Sequence, residues 1–206
     1  LSNIGVGVIL ISIAVALVLT LFFTTTATRV ASMVTTALGK RRVRKILGNK
    51  SKDVLEDFIL PGAYGGLTRI DFAILTSGGI LCIQTKHYNG LVFGEAEEPQ
   101  WTNVDGVTSR RFLNPLIQNE GRSRALRKVV PDVPVANLVV FTGSVQFSTK
   151  QASNVIHVRD LQNFIEKFVF GPCRIEDWDA AWLSVKAAAL TDEESRKDFR
   201  AQLSFS

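Results

Sequence analysis

Residues 4–23 form a run of twenty residues that carries no charge and has only two polar side chains, Ser12 and Thr20. An α-helix rises about 1.5 Å per residue, so about twenty residues cross the hydrocarbon core of a bilayer. The run therefore predicts a transmembrane helix in contact with membrane lipid. A cleaved signal peptide and a buried helix are the alternatives. Signal peptides usually have a basic start and a shorter apolar stretch, and few soluble helices are apolar on all sides.

A basic segment follows the apolar run. Seven Lys and Arg residues and no acidic residue lie between Arg29 and Lys50. Basic residues at one end of a transmembrane helix favour the cytoplasmic side, so we expect a single-pass protein of the inner (cytoplasmic) membrane with its remaining residues in the cytoplasm. The chain has 24 basic and 19 acidic residues, so residues 51–206 keep 17 basic against 19 acidic ones. The net positive charge therefore belongs to the basic segment.

These patterns divide the chain into a membrane anchor (1–28), a basic helical stem (29–50) and an α/β domain (51–206). Within the domain, residues 54–60 and 90–95 are predicted strands, and residues 95–105 a polar loop. Asn114 and Pro115 are typical of a helix start, and this helix is expected to end near Val130. Residues 137–143 have the apolar pattern of a strand covered on both faces. A strand within 154–158 and three helices follow, the last of them capped by Thr191.

A hairpin brings three polar side chains together. If Gly78 and Gly79 form its two-residue loop, Asp71 lies opposite Lys86, and Gln84 shares their face of the sheet. A one-residue slip in the turn would break this arrangement. A carboxylate and an amide oxygen are suitable ligands for Mg²⁺, and a lysine beside them suits metal-assisted hydrolysis of a phosphodiester. An ordinary surface ion pair is the alternative.

Residues 57–118 resemble the nuclease-related domain (NERD) family. The matching segments are DFILP, RIDFAILTSGGILCIQTKHYNG, Trp101 and NPLIQN from Asn114 onward. The family is similar to the PD-(D/E)xK nucleases, which implies a restriction-endonuclease-like mixed sheet flanked by helices, cleavage of nucleic acid, and Mg²⁺ or Mn²⁺ as cofactor. The resemblance implies a metal-binding aspartate, a second metal ligand, a catalytic lysine and a polar helix residue: Asp71, Gln84, Lys86 and Gln118.

Two departures from the family pattern bear on activity. Gln84 stands where Glu is usual, although IQTKHY is similar to the QxK variant of Mrr-type restriction endonucleases. The leading helix of the family normally carries Glu after a Gly, whereas here Gly39 is followed by Lys40, Arg41 and Arg42. Asp71 is then the only matched carboxylate. The alternative function is therefore a catalytically inactive, membrane-tethered module that binds nucleic acid or another protein.

The helix that begins near Pro115 carries a local excess of basic residues. Basic side chains on one helix can contact successive phosphates, so we expect a nucleic-acid-binding surface there, with an ordinary solvated face as the alternative. The four residues assigned to this surface are Arg122, Arg124, Arg127 and Lys128. Outside it, His157 is expected to have a structural role.

Overall fold

The computed structural model describes residues 2–49, 53–168 and 178–204. The chain divides into two compact units, Leu1–Leu38 and Gly39–Ser206. Helix α1 (Ser2–Gly48) contributes to both. Within it, the predicted transmembrane segment falls largely on residues 4–16, whose side chains lie outside the described part. Of the helices whose residues are described, none is both long and apolar enough to span a bilayer.

The second unit is an α/β domain. Along the chain its remaining elements are β1 (Val54–Pro61), β2 (Leu67–Thr76), β3 (Gly79–Lys86), β4 (Gly90–Phe93), β5 (Gln100–Asp105), β6 (Thr108–Leu113), α2 (Pro115–Val129), β7 (Val135–Phe141), β8 (Val145–Phe147), β9 (Val155–His157), a 3₁₀ turn (Val158–Asp160), α3 (Leu161–Lys167), α4 (Trp178–Ala188) and α5 (Glu193–Ser204).

The main sheet has five strands in the order β1-β2-β3-β7-β9. β1, β2 and β3 are antiparallel, whereas β7 and β9 run parallel to β3. One face packs against α2 and α4 through Leu126 and Trp182. The other face packs against α1 and α3 through Val43, Leu47 and Leu161. The predicted mixed sheet flanked by helices is therefore confirmed, and each fully buried Leu or Val contributes about 1.5–3 kcal/mol to stability.

Helix α2 begins as predicted. The Asn114 side chain accepts a hydrogen bond from the Leu116 N–H at 2.9 Å, and Pro115 occupies the first turn. The prediction for α5 was wrong by one residue. Asp192, rather than Thr191, accepts the Ser195 N–H at 2.8 Å, because its carboxylate reaches an amide of the first turn that has no partner within the helix.

A second sheet has the order β6-β5-β4-β8, and its strand β5 lies where a polar loop was predicted. The prediction of a loop over 95–105 was wrong for residues 100–105, because Trp101 and Asn103, two residues apart, both point inward. The Trp101 indole N–H donates to the Glu95 carbonyl at 2.8 Å, and Asn103 donates to the Asn89 carbonyl at 2.6 Å. Both side chains can be buried because their N–H groups have hydrogen-bond partners. This polar sequence therefore forms a half-buried strand instead of a loop.

The hairpin loop between β2 and β3 differs from the expected one. Thr76 pairs with Gly79, so Ser77 and Gly78 form the loop. The Thr76 hydroxyl donates to the Gly79 carbonyl at 2.8 Å and accepts from the Gly78 N–H at 3.2 Å, which holds this register. Continuing the register past the Phe72–Ile83 pair puts Asp71 opposite Gln84, so the prediction that Asp71 faces Lys86 was wrong.

Gly143 and Gly121 provide a matched test of how tightly the segment after β7 packs against Tyr88. A Cβ at residue 143 would lie 1.9 Å from the Tyr88 carbonyl oxygen, whereas a Cβ at residue 121, inside α2, would meet nothing within 4 Å. We expect Gly143→Ala to destabilise the domain by about 1–3 kcal/mol through overpacking. Gly121→Ala should stabilise it by up to about 1 kcal/mol because alanine favours helix. Urea unfolding of the full chain, followed by tryptophan fluorescence, measures both; equal effects would contradict the packing at residue 143.

Candidate active site

The main sheet changes its side-chain alternation at Asp71. Phe72 packs on the α1 side of the sheet, but Ile70, two residues earlier, packs on the α2 side. The paired residues of β2 and β3 end at Phe72 and Ile83. Beyond this point the Asp71 carboxylate accepts hydrogen bonds from the N–H and the hydroxyl of Thr85, both at 2.9 Å. The Asp71 side chain therefore connects β2 to β3 at the point where their backbone pairing ends.

Asp57 stands opposite Asp71 on β1, between the pairs Glu56–Phe72 and Phe58–Ile70. It adopts a left-handed conformation with φ of +53°, which costs about 1 kcal/mol for a residue with a Cβ. Arg196 of α5 compensates by donating to the Asp57 carboxylate at 2.7 Å and to its carbonyl at 2.9 Å. This contact ties the C-terminal helix to the irregular part of the sheet.

Lys40 of α1 holds the other side of the Asp71 carboxylate. Its ammonium lies 2.7 Å from Asp71 Oδ1, and the two side chains are only 26% and 19% exposed. Burial raises the pKa of Asp71, but the Lys40 charge and the hydrogen bonds from Thr85 outweigh it and leave this pKa below its usual value. Asp71 is thus an ionised carboxylate that is already neutralised by a protein cation.

Gly39 brings Lys40 to this position. A Cβ at residue 39 would lie 2.4 Å from the Thr142 hydroxyl oxygen, so only glycine allows α1 to approach the residue after β7 so closely. Sequence reasoning did not assign Lys40 to the site. A signal was present, because Lys40 directly follows the Gly after which the resembled family carries Glu. Replacing an acid by a lysine at the same place predicts an ion pair with the remaining acid.

Gln84, Lys86 and Gln118 meet on the α2 side of the hairpin. The Lys86 ammonium donates to Gln118 Oε1 at 2.8 Å, and Gln84 Nε2 lies 3.2 Å from the same oxygen. If the Gln84 amide is turned over, it donates to the Pro115 carbonyl at 2.9 Å and accepts from Arg122 at 3.2 Å. In either orientation, protein groups hold Gln84. The three side chains are in direct contact, whereas Asp71 joins them only through Thr85, the residue between Gln84 and Lys86.

Lys86 has an unusual electrostatic environment. Burial and the nearby Arg122 charge together lower the pKa of Lys86 to about 8, although the Asp71 charge opposes the shift. The ammonium also lies 6.0 Å from the centre of the Phe112 ring. With this pKa the side chain is mainly a cation at neutral pH, which attracts phosphate, and becomes an amine, which accepts a proton, above about pH 8.

The four basic residues of α2 divide into two groups. Arg122 points inward, where its Nε donates to the Arg69 carbonyl at 2.7 Å. Arg127 donates to Glu120 and to the Val135 carbonyl, at 2.7 and 2.9 Å. Arg124 and Lys128 are exposed, and Arg124 contacts Glu120 and Tyr64. Arg122 and Arg127 are therefore held by backbone carbonyl groups of the domain, whereas Arg124 and Lys128 are accessible to solvent.

The described residues do not provide a ready site for Mg²⁺. Among them, no group of three His, Cys, Asp or Glu side chains lies close enough to hold a metal ion. Asp71 is the single carboxylate of the site, its two oxygens are occupied by Lys40 and Thr85, and the neighbouring Gln84 is a neutral amide. Since Mg²⁺ binds carboxylates with near-ideal octahedral geometry, this arrangement does not fit the ion while Lys40 is present.

Comparison with known proteins gives the class of the domain. The nuclease-related domain family matches residues 35–142, more than half of the chain. The chain therefore belongs to the nuclease-related domain family. It is also similar to an uncharacterized protein of Bacillus anthracis, with 23% identity over 167 residues that cover 77% of this chain and 79% of that protein. No solved structure matches the chain.

The environment of Lys86 makes a measurable prediction. A lysine whose pKa falls from 10.5 to about 8 on folding opposes folding when it is charged, because the unfolded chain holds the proton more tightly. We expect the free energy of unfolding to rise between pH 8 and 10.5, and to rise less in Lys86→Met. NMR of the lysine side chains should show one ammonium titrating near pH 8 that is missing in the variant. Titration of every lysine above pH 10 would contradict the burial of Lys86.

Proposed function

We propose that this chain is a membrane-anchored nuclease-related domain that binds nucleic acid at the Lys86 face without cleaving it. The observation that carries the proposal is the 2.7 Å ion pair between Lys40 and Asp71. It places a protein cation on the single carboxylate that the family resemblance assigns to the metal. The site thus keeps groups that attract phosphate and lacks an open place for the ion that cleavage requires.

Phosphate binding is supported by the donors on the α2 side of the hairpin. Lys86 and the inward-facing Arg122 both carry hydrogen-bond donors. Because both side chains are largely buried, their positive charges are costly without a nearby anion, and a phosphate would reduce this cost. Gln118 orients the Lys86 ammonium. The exposed Arg124 and Lys128 continue the positive charge along α2. A nucleic acid backbone supplies the repeated anions that such a surface requires.

Metal-dependent cleavage is the second candidate, favoured by the lowered pKa of Lys86. In this hypothesis Asp71 and Gln84 hold Mg²⁺ or Mn²⁺, and Lys86 and Gln118 serve the reaction. It requires Lys40 to leave the Asp71 carboxylate before the metal binds. The two candidates therefore differ in the state of Lys40, and metal binding distinguishes them.

Nucleic-acid binding and cleavage can be tested together with labelled single-stranded and duplex oligonucleotides. We expect fluorescence anisotropy to report binding that EDTA does not change, and gel analysis to show intact oligonucleotide with Mg²⁺ or Mn²⁺. Arg124→Ala with Lys128→Ala should weaken binding whatever the sequence, and should reduce the salt slope by about 0.7–0.9 for each phosphate that the variant no longer neutralises. Cleavage that depends on Mg²⁺ and disappears in Asp71→Ala would establish the second candidate instead.

The role of Lys40 has its own test with a matched control. Lys40→Glu replaces the cation on Asp71 by a carboxylate, and Gln84→Glu adds a carboxylate on the neighbouring strand, so we expect Mn²⁺ binding by calorimetry where the native chain gives none. Lys45→Glu with Gln84→Glu makes the same change in charge, but Lys45 is exposed on α1 and does not contact Asp71. Equal Mn²⁺ binding by both double variants, or by the native chain, would refute the proposal that Lys40 excludes the metal.

Membrane anchoring through residues 4–23 is the remaining part of the proposal. It is supported by the uncharged sequence of that segment and the basic residues that follow it. We expect the full chain to stay in the membrane pellet after carbonate extraction, and a chain lacking residues 1–28 to be released. A reporter fused after Ser206 should behave as cytoplasmic. Release of the intact chain by carbonate would exclude the anchor.

A further inference from the structure

A polar cavity lies at the carboxyl ends of the parallel strands β7 and β9. It has a volume of about 480 Å³, and its polar lining includes Arg42, Thr142, Ser144, His157 and Arg159. This size is within the range of small-ligand sites. We propose that the cavity binds the terminal phosphate monoester of a nucleic acid strand, a site separate from the hairpin face and resting on the proposed nucleic-acid binding.

The charges of the cavity favour a dianion. Its described lining contains two arginines and a histidine and no carboxylate, and Arg159 has one exposed carboxylate partner beside the lining, Asp160 at 3.7 Å. Lys40 and Arg44, on either side of Arg42 in α1, form ion pairs with Asp71 and Glu56, whereas Arg42 has no ion pair among the residues that the structure describes. Guanidinium groups bind phosphate oxygens with paired, charge-assisted hydrogen bonds. A terminal phosphate carries up to two negative charges, which matches two arginines better than a backbone phosphodiester does.

The cavity has a rigid wall. Gly143 packs so closely against the Tyr88 carbonyl that a Cβ would lie 1.9 Å from its oxygen, and the Ser144 N–H donates to the Asn89 side chain at 2.9 Å. These contacts hold the segment after β7 and the hydroxyl-bearing Thr142 and Ser144 in place. A site held in advance loses less entropy on binding.

The position of the cavity favours nucleic acid over a lipid headgroup. The Thr142 N–H donates to the Lys86 carbonyl at 2.8 Å, and the Thr142 hydroxyl lies 3.1 Å from His87 Nδ1. The cavity is therefore next to the end of β3, which carries Lys86. β3, β7 and β9 are parallel, and ligands of open α/β sheets bind beyond the carboxyl ends of such strands. A strand lying on the Lys86 face can thus place its end in the cavity.

His157 provides a direct readout of occupancy. Burial lowers the pKa of His157, and Arg159 lowers it further, while Asp160 has the opposite effect. The imidazole is therefore mainly neutral at pH 7. A phosphate beside it favours the imidazolium, so binding should move its NMR signals toward those of the protonated ring.

The test compares short single strands that end in a 5′-phosphate, a 3′-phosphate or hydroxyls only, each labelled away from the varied end. We expect one phosphorylated end to tighten binding to the full chain about tenfold, the gain of about 1.4 kcal/mol that good charge-assisted contacts supply. Arg42→Ala with Arg159→Ala should abolish this gain without changing the binding of the hydroxyl-ended strand. Lys150→Ala with Lys197→Ala, an equal loss of two positive charges at exposed residues outside the cavity, should leave the gain intact.

Thymidine 5′- and 3′-monophosphates test the cavity independently of the Lys86 face. One of them should shift the His157 signals of the native chain and fail to shift those of Arg42→Ala with Arg159→Ala. If hydroxyl-ended strands bind but neither terminal phosphate tightens binding, the cavity proposal is overturned and the proposed function stands. If no strand binds, the proposed function fails, and unshifted His157 signals then overturn the cavity proposal as well. A shift at lower concentrations of glycerol 3-phosphate than of either nucleotide overturns it in favour of a lipid headgroup.

Discussion

The ion pair between Lys40 and Asp71 connects the three parts of the site. Asp71 lies where β2 separates from β3, and its carboxylate replaces the missing strand contact by accepting two hydrogen bonds from Thr85. A buried carboxylate needs a compensating charge, and Lys40 provides it from α1. The same contact joins the leading helix to the hairpin and occupies the place that a metal ion requires. The packing of α1 against the hairpin and the charge of the Asp71 carboxylate therefore both depend on Lys40.

Close approach of backbones determines which side chains can meet. Gly39 lets α1 reach Thr142, and Gly143 lets the segment after β7 reach Tyr88. Both glycines act at the carboxyl end of β7, next to Lys86 on the adjoining parallel strand. One edge of the main sheet thus carries the hairpin residues on one side and the arginine-lined cavity on the other. Larger residues at either glycine would separate α1 and the β7 segment from the elements they contact.

The main features of the α/β domain could be predicted from local patterns. Asn114 and Pro115 mark the start of α2 because capping depends on neighbouring residues. The apolar run ending at Phe141 marks a strand covered on both faces for the same local reason. The second sheet was missed, since the burial of Trp101 and Asn103 depends on distant carbonyl groups. The hairpin loop was misplaced because the side chain of Thr76, rather than the Gly–Gly pair, selects it.

The sequence by itself determined the α/β class, the main-sheet strands with the helix that begins at Pro115, and the family, because motif spacing and hydrophobic periodicity are properties of neighbouring residues. It also placed Gln84 and Lys86 on one face, since side chains alternate along a strand. Only the tertiary structure decided that Lys40 neutralises Asp71, that Gln118 holds Lys86, and that Arg42 and Arg159 line one cavity. These contacts join residues distant in the chain, and packing between elements, which local patterns do not encode, brings them together.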